Sequence, residues 1–369
     1  MEQLKIKGFK CFSDKKIDLN GLTVLTGSNG AGKSSVIQAL LLTREAIEHC
    51  AKLSAEKHIY KWQEKDISLN GTKQLQLGSY DDICNIDADN ICISVNGADF
   101  IFEQGAFDGD VSVMLSDEDF DKLPVYMTRE EFYYLNAERI GPRAYSDIQP
   151  VTFLNSGERG ELAGNVLHET SKTFPKVEEG RTFEKGETKN FNIQVDRWMS
   201  YLFSEVSVKP EPVTPSVCRI KLRGSRTAVI APNTGFGYTY ALPIVINGLI
   251  AQKGSLLIIE NPEAHLHPKA QSNIGFFIGK MVAAGLKIIV ETHSEHVVNG
   301  MRRAALSEFG LNPENVSIYF FTNDKGSCQY VPITIDADGD LSDFPVDFFD
   351  QVRQDMMEII RLAAKRQHK

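Results

Sequence analysis

The residues with the clearest chemistry are Gly27–Ser34, which read GSNGAGKS and match G-x-x-x-x-G-K-S at every fixed position. The motif follows the apolar segment "LTVLT" and opens "KSSVIQALLL", whose apolar spacing is typical of a helix. Its glycines let backbone N–H groups turn toward a phosphate, and the helix N-terminus adds a partial positive charge. We expect Lys33 to reach the β- and γ-phosphates and the Ser34 hydroxyl to bind Mg²⁺. The motif therefore predicts a site for ATP and Mg²⁺. The predicted nucleotide contacts are Gly27, Ser28, Asn29, Gly30, Ala31, Gly32, Lys33, Ser34 and Ser35.

A carboxylate for the magnesium ion is expected at the end of a buried strand next to this loop. The segment "SLLIIENPEAHLHP" supplies one, because four apolar residues, Leu256–Ile259, lead directly to Glu260. We therefore predict Ser34 and Glu260 as metal ligands. More than 220 residues separate Lys33 from Glu260, which is too long for a compact kinase or a small GTPase. The separation indicates a large insertion between the two halves of the site.

Two further segments extend the predicted site. In "IIVETHSEH" a buried strand ends in Glu291, Thr292 and His293, and a neutral histidine there can hydrogen-bond the γ-phosphate or the attacking water. In "NTGFGYTYALPIV" two glycines precede a helix whose N-terminus can face an anion. One chain then carries two phosphate-facing helix starts, which suggests a site shared between two copies.

The order of these motifs resembles that of the ABC-type ATPases of the SMC and RecF-like branch. Within that branch, "ENPEAHLHP", "ETHSEHVVNGMR" and "YLNAERIGPR" are similar to a bacterial group of AAA-type ATPases of the kind found in anti-phage defence loci. The segment "VPITIDADGDLSDFPVDFFDQ" resembles the small C-terminal domain of unknown function in that group. The resemblance implies that two heads pair head to tail around two ATP molecules, as a homodimer or a larger oligomer. It sets Gly235, Gly237 and Thr239 of one copy against the phosphate loop of the other.

One departure from the family concerns the catalytic base. In family members, the strand that corresponds to the one leading to Glu260 ends in two consecutive acids, and the second acid polarises the attacking water. This chain has Glu260–Asn261 at that place. An asparagine cannot accept a proton, so either Glu263 takes the role of base or hydrolysis is slow. We interpret Glu260, Glu263 and His293 as the catalytic set, with Glu263 as base. Slow hydrolysis would suit a switch better than a motor.

Strands alternate with helices along most of the chain, which indicates an α/β fold with a mostly parallel P-loop NTPase sheet. Short alternating strands in residues 73–103 indicate an antiparallel β subdomain. Together with the resemblance, this predicts an ABC-type ATPase head over residues 1–315, interrupted by a helical insertion at about 104–205. A small C-terminal domain is expected over residues 316–369. Residues 171–190 are densely charged and are interpreted as a loop or mobile insertion.

The composition limits the expected partners and compartment. The net charge of −9 and the pI of about 5.5 argue against a broad nucleic-acid-binding surface, although a local basic patch would still allow nucleic acid to bind. The chain has no apolar run of about 18 residues, so no membrane span is expected. Its six cysteines form no C-x-x-C pair, which favours scattered reduced thiols in a cytoplasmic protein.

Three functions fit these motifs. The favoured one is an ATP-dependent, dimerising switch that regulates a partner effector, such as a nuclease or a toxin, in anti-phage defence; this rests on the resemblance. The alternative is a DNA-binding recombination or repair ATPase of the RecF-like type. A small-molecule phosphotransferase is disfavoured by the long separation of the two halves of the site. Arg139 and Arg143 could contact nucleotide, DNA or an acidic partner, or form a structural ion pair.

Overall fold

A mostly parallel sheet forms the centre of the fold. The computed structural model describes residues 2–53, 60–71, 73, 75–129, 131–224, 227–308, 310–324 and 327–367. In this part of the chain, the order across the central sheet is β10, β15, β16, β3, β17, β18, and only β18 runs antiparallel to its neighbour. The α/β fold with a mostly parallel sheet is therefore confirmed. These strands are β3 (Leu22–Gly27), β10 (Tyr133–Leu135), β15 (Leu256–Glu260), β16 (Lys287–Glu291), β17 (Val316–Asp324) and β18 (Ser327–Ile333).

The inner strands are buried on both faces, which explains why they read as nearly continuous apolar runs. In β15, Leu257 and Ile259 face one hydrophobic core, whereas Leu256 and Ile258 face another. Helices close the first core. They are α5 (Ala163–Thr173), α6 (Phe191–Phe203), α7 (Phe236–Ile250), α8 (Pro268–Ala283) and α9 (Glu295–Ala305).

The second core lies between the central sheet, helix α1 (Lys33–Cys50) and an antiparallel sheet. The first strand of that sheet alternates, with Leu4 and Ile6 buried and Lys5 and Lys7 exposed. The predicted antiparallel subdomain is confirmed, and it also includes the N-terminal hairpin. In the order β2, β1, β7, β8, β9, β6, its strands are β2 (Phe12–Leu19), β1 (Glu2–Phe9), β7 (Ile91–Val95), β8 (Ala98–Gln104), β9 (Asp110–Met114) and β6 (Lys65–Ser68).

Shorter elements connect these layers. A small sheet contains β11 (Ser146–Asp147), β12 (Ser207–Thr214), β13 (Val217–Arg223) and β14 (Ala228–Ile230). The others are β4 (Ala51–Leu53), β5 (Tyr60–Trp62), α2 (Tyr80–Ile83), α3 (Asp117–Phe120), α4 (Val125–Thr128) and the C-terminal α10 (Gln351–Gln367). Among the described residues, none of the helices combines the length and the apolar character that crossing a bilayer requires.

Strands β17 and β18 change the expected division of the chain. β17 pairs in parallel with β3, so that Val316 lies opposite Leu22 and Phe321 lies opposite Gly27. β18 then pairs with β17. Residues 316–333 therefore complete the central sheet, and the expected boundary between residues 315 and 316 runs through that sheet.

The charged segment 171–190 packs against the first core, although its composition predicted a loop or mobile insertion. It has little regular structure beyond the end of α5 and a single 3-10 turn at Glu179–Arg181. Arg181 is fully buried, and its guanidinium donates to the backbone carbonyl of Ala251 at the C-terminus of α7. Such a contact with the negative end of a helix dipole is favourable. One buried arginine thus fixes a segment whose average composition is that of a solvated loop.

Cys11 and Cys328 form a disulfide, which corrects the prediction of reduced thiols for this pair. They are separated by 317 positions, but their Cα atoms lie 5.7 Å apart because the turn between β1 and β2 meets the start of β18. The disulfide lies against the phosphate loop, since a Cβ atom added at Gly32 would be 2.8 Å from Cys11 Sγ. Sequence spacing gave no indication of this contact.

We expect four thiols per chain to react with a thiol reagent in denaturing buffer without reductant, because Cys11 and Cys328 are paired. Prior reduction should raise the number to six. Mass spectrometry of a non-reduced digest should recover the linked Cys11 and Cys328 peptides. Six reactive thiols without reductant would show that the pair is reduced in the purified protein.

Candidate functional site

The phosphate loop lies between β3 and α1, at the carboxyl edge of the central sheet. Gly27, Gly30 and Gly32 have φ values of 128°, 71° and 99°, which residues with side chains rarely adopt. Gly27 also lies against β17, where an added Cβ atom would be 2.0 Å from the carbonyl oxygen of Phe321. The loop conformation therefore depends on glycine at the two positions that the motif specifies, Gly27 and Gly32, and also at Gly30, which lies at a variable position of the motif.

The Lys33 side chain is buried inside this loop. Its ammonium donates to the backbone oxygens of Gly27 at 3.1 Å and Ser28 at 2.6 Å. Burial lowers the pKa of Lys33, and the nearby carboxylate of Glu291 opposes that effect. A phosphate in the loop would offer this ammonium charged oxygens, which make shorter and stronger hydrogen bonds than neutral carbonyls.

The side chains of Ser34 and Glu291 are hydrogen-bonded to each other at the start of α1. The Ser34 hydroxyl donates to Oε1 of Glu291 at 2.9 Å. The sequence predicted Ser34 and Glu260 as the metal ligands, but β16 lies between β3 and β15 and brings its own terminal carboxylate closer. Among the described residues, nothing hydrogen-bonds the buried Oε2 of Glu291. A buried carboxylate oxygen is thus available beside the predicted metal-binding hydroxyl.

Glu260 lies next to Glu291 and is held on the β10 side of the site. The two glutamates are opposite each other in the parallel pair of β15 and β16. Glu260 accepts hydrogen bonds from the Tyr134 hydroxyl at 3.0 Å and from the backbone N–H of Ala137 at 3.2 Å. Burial raises the pKa of Glu260, and these hydrogen bonds oppose the rise. Two carboxylates therefore meet at this edge of the sheet, although only Glu291 contacts Ser34.

Glu263 returns to the end of β16 through a turn that begins at Asn261, where φ is 44°. Its Oε2 accepts a hydrogen bond from the Thr292 hydroxyl at 2.8 Å, and its Oε1 accepts one from the backbone N–H of His293 at 2.7 Å. Both donors are neutral. The structure therefore brings together Glu263 and His293, two residues that belong to separate motifs and are both predicted to be catalytic.

The exposed His293 lies near Gly27, the first residue of the phosphate loop, whose backbone is one of the groups that influence the pKa of its ring. Burial is the main cause that lowers the pKa of His293, and the charge of Lys33 lowers it further. The charge of Glu263 and the backbone of Gly27 raise this pKa and so act in the opposite direction. The lowered pKa favours the neutral ring, which is the form expected to contact a γ-phosphate or a water molecule.

Arg139 holds the end of β15. It is buried, and it donates to the backbone carbonyls of Asn136 at 3.1 Å, Glu260 at 2.7 Å and Asn261 at 2.5 Å. Burial lowers the pKa of Arg139 to about 10. These contacts with backbone carbonyls were not among the alternatives that the sequence left open, and they give Arg139 a role in positioning the end of β15. Arg143 is exposed.

The two glycines at the start of α7 differ in their surroundings. Gly235 is exposed, and a Cβ atom added there would meet no other atom within 4 Å. Gly237 is buried, and an added Cβ atom would be 2.9 Å from the carbonyl oxygen of His265. The half-buried Thr239 donates its hydroxyl proton to the carbonyl of Phe236 at 3.0 Å. Gly237 thus serves the packing of α7 on the loop after β15, whereas Gly235 is open to another molecule.

An aromatic cluster joins the start of α7 to the loop after β15. The His265 ring lies 5.3 Å from the ring of Phe236 and 4.6 Å from that of Tyr240. Tyr240 in turn lies under the guanidinium of Arg139, at 5.3 Å. Contacts at the start of α7 are therefore connected through packed side chains to the loop that contains Glu263 and to the end of β15.

Two residues of this site were not assigned a role from the sequence. Glu291 ends a buried strand in the sequence, as Glu260 ends its own strand. This shared position was the signal in the sequence that could have identified Glu291 as a site residue. Nothing in the spacing indicates Tyr134, because its contact with Glu260 depends on β10 lying beside β15.

With EDTA present, the free energy of unfolding should fall as the pH rises from about 5 to 8, partly because of Glu291. Burial, with the adjacent Glu260, raises the pKa of Glu291 to about 7. The folded state then keeps a proton that the unfolded state releases near its ordinary, lower pKa. The stabilisation is complete below that lower pKa and is lost as the pH passes about 7, by up to about 3 kcal/mol. Urea unfolding of the wild type and Glu291→Gln should show a smaller pH dependence in the variant, and equal slopes would contradict this assignment.

Family models match three segments of the chain. Residues 3–44 match an AAA domain, residues 146–298 match an AAA ATPase domain, and residues 311–359 match a protein of unknown function, DUF3696. The first two segments contain the phosphate loop and the residues from Glu260 to His293, respectively. A comparison with curated proteins gives no match.

Solved structures with a similar fold are heads of SMC proteins. An SMC head bound to the C-winged helix domain of ScpA is 14% identical with a TM-score of 0.54, and the match covers 90% of this chain and 97% of that one. An Smc head domain with an extended coiled coil, bound to the C-terminal domain of ScpA from Pyrococcus furiosus, is 15% identical with a TM-score of 0.50, covering 98% and 100%. At these identities the likeness is one of fold. The chain thus combines segments that match AAA ATPase models and a DUF3696 model with a fold similar to that of SMC heads.

Proposed function

We propose that this ATPase binds and slowly hydrolyses Mg²⁺-ATP and acts as a dimerising switch that regulates a partner protein. The observation that carries the proposal is the meeting of Lys33, Ser34, Glu291, Glu263 and His293 at the shared edge of β3 and β16. They supply a cation for phosphates, a hydroxyl and a carboxylate for a metal, and a second carboxylate beside a neutral histidine. ATP hydrolysis needs these groups in this proximity.

The residues around Ser34 fit a magnesium ion. Mg²⁺ in nucleotide sites is bound through oxygen, by one or two carboxylates together with phosphate oxygens and water. The buried Oε2 of Glu291, for which no described residue is a partner, is an oxygen of this kind. We therefore infer that Ser34 and Glu291 hold the ion and that Glu260 supports them from the neighbouring strand. The bound ion would neutralise charge on the β- and γ-phosphates.

Glu263 is proposed as the general base. Its hydrogen bonds to Thr292 and His293 hold the carboxylate in place, and both come from neutral donors, so its negative charge is not neutralised by them. In the proposed reaction, a water proton moves to Glu263 while the water oxygen bonds to the γ-phosphorus and the bond to the ADP oxygen breaks. The neutral His293 would orient the water or the γ-phosphate. Asn261, at the position of the family base, cannot take this proton.

Closure of two copies around two nucleotides is proposed from the start of α7. Gly235 lies at the N-cap of a 15-residue helix, is exposed and has open space around it. A helix N-terminus attracts anions. These features support the expectation that Gly235 and Thr239 approach the γ-phosphate bound by the other copy. The buried Gly237 would act indirectly, by fixing α7 on the loop that contains Glu263.

A partner protein is proposed because the two SMC heads with similar folds were each solved with a domain of ScpA. The resemblance to anti-phage ATPases supports an effector, such as a nuclease or toxin, as the partner of this chain. DNA clamping by a RecF-like ATPase remains the alternative, and the net charge of −9 argues against it.

The purified chain should convert ATP into equal amounts of ADP and phosphate with Mg²⁺, and it should be inactive in EDTA. Anisotropy of labelled duplex DNA, with and without ATP at two salt concentrations, would separate the alternatives. No ATP-linked DNA affinity is expected. A strong, salt-sensitive affinity that appears only with ATP would replace the switch by the DNA-binding alternative, and a phosphorylated small molecule as product would replace both.

A further inference from the structure

The C-terminal helix α10 has an apolar face that the rest of the described chain does not cover. Its side chains over residues 351–366 are all exposed. Val352, Met356, Ile359 and Ala363 follow helical spacing and share one face. Val352 is 71% exposed and Ile359 is 58% exposed. The other large apolar residues of α10 with at least half of their surface exposed are Met356, Met357, Ile360 and Leu362. Contiguous apolar surface of this kind marks an interaction site.

The charges of α10 indicate which partner fits that face. The acidic residues lie before the helix and in its first half, and the basic residues lie mainly in its second half. The acidic ones are Asp347, Asp350, Asp355 and Glu358, and the basic ones of the second half are Arg361, Lys365 and Arg366. Arg353 is the exception in the first half. A second copy of the helix in antiparallel orientation would set each acidic end against a basic end, whereas a parallel copy would set like charges together.

The charged residues beside the apolar face follow the same distribution, with an acid near one end of the helix and a base near the other. Each residue turns the helix by about 100°, so Asp355 and Arg366 lie beside the same edge of the apolar face, near opposite ends of the helix. In an antiparallel pair, Asp355 of each copy comes within reach of Arg366 of the other. An anionic membrane fits less well, because Asp355 would lie against it.

We propose that α10 pairs with α10 of a second copy in an antiparallel, two-fold symmetric interface centred between Ile359 and Ala363. The helix has 17 residues and is therefore about 26 Å long. A pair of this length buries less than the roughly 1,200 Å² of a standard interface, so the pairing is weak and reversible. It uses no residue of the nucleotide site. By holding two chains together, the pairing of the helices raises the effective concentration of one head near the other, which favours their closure once ATP is bound.

Sedimentation of the full chain without nucleotide and with EDTA tests this proposal, because ATP-driven closure plays no part under these conditions. The wild type should be a monomer at about 1 μM and should shift toward a dimer between about 10 and 100 μM. Ile359→Glu should raise the dissociation constant by at least about tenfold. Gln354→Glu is the matched control, since it adds the same charge on the opposite face of α10 and should have little effect. A wild type that is monomeric at about 100 μM, or an Ile359→Glu variant that dimerises equally, would overturn the proposal.

Charge reversal tests the pairing of unlike ends. One variant carries Asp355→Arg with Glu358→Arg, and a second carries Arg361→Glu with Arg366→Glu. Each alone should be monomeric, because both ends of the helix then have the same sign. A mixture should form heterodimers with a dissociation constant within about tenfold of the wild-type value. Failure of the mixture to associate would contradict charge-paired self-association, whether or not the nucleotide site behaves as proposed.

Discussion

Lys33→Ala will lower ATP affinity by at least about 100-fold, because it removes the ammonium expected to neutralise the β- and γ-phosphates in a buried loop. The effect should appear in calorimetric titration with Mg²⁺-ATP and should abolish hydrolysis. The ammonium also donates to the carbonyls of Gly27 and Ser28. Thermal unfolding must therefore show that the variant remains folded.

The control for this prediction is Lys52→Ala, an exposed lysine just beyond the other end of α1. It removes the same charge outside the phosphate loop and should leave ATP affinity unchanged. If Lys33→Ala kept an ATP affinity within about threefold of the wild type, the assignment of Gly27–Ser34 as the phosphate site would be wrong.

The second large effect is expected for Glu263→Gln, which should lower the rate of hydrolysis by about 100-fold or more while ATP binding is retained. Glutamine has nearly the same shape, but it cannot take the proton of the attacking water. ATP-bound dimers should accumulate, because closure no longer ends in hydrolysis. Single-turnover kinetics and sedimentation with Mg²⁺-ATP measure the two consequences separately.

Glu295→Gln provides the comparison, since Glu295 is an exposed glutamate two residues after His293 at the start of α9. It should hydrolyse ATP at the wild-type rate. Normal hydrolysis by Glu263→Gln would remove Glu263 as base. In that case the hydrogen bonds from Thr292 and His293 would be structural only.

The local parts of the site could be predicted from the sequence, because each is encoded in a short segment. A strand, a glycine turn and a helix start determine the phosphate loop, and an apolar run ending in an acid indicates Glu260. The strand that ends in Glu291 was found in the same way. The order of the three strands was not available from spacing. That order decides that Ser34 meets Glu291 first.

Contacts between distant segments were likewise beyond the sequence. The disulfide joins Cys11 to Cys328 only because β17 and β18 extend the sheet beside the phosphate loop. Arg181 is buried because it meets the end of α7, although its surroundings in sequence are charged. Gly235 and Gly237 look equivalent in the motif, and only the packing of α7 on His265 distinguishes them.

Complementation between two inactive variants is the most direct test of a site shared by two copies. Lys33→Ala disables the phosphate loop. Gly235→Glu places a negative charge where the phosphate of the other copy is expected, and the open space around Gly235 should leave the fold intact. Each variant alone should be inactive, whereas a heterodimer contains one site with an intact loop and an intact α7 start. An equimolar mixture should therefore recover about a quarter of the wild-type ATPase rate if the copies pair at random. A mixture that stays inactive although both variants are folded, or a Gly235→Glu variant that is fully active alone, would contradict the shared site.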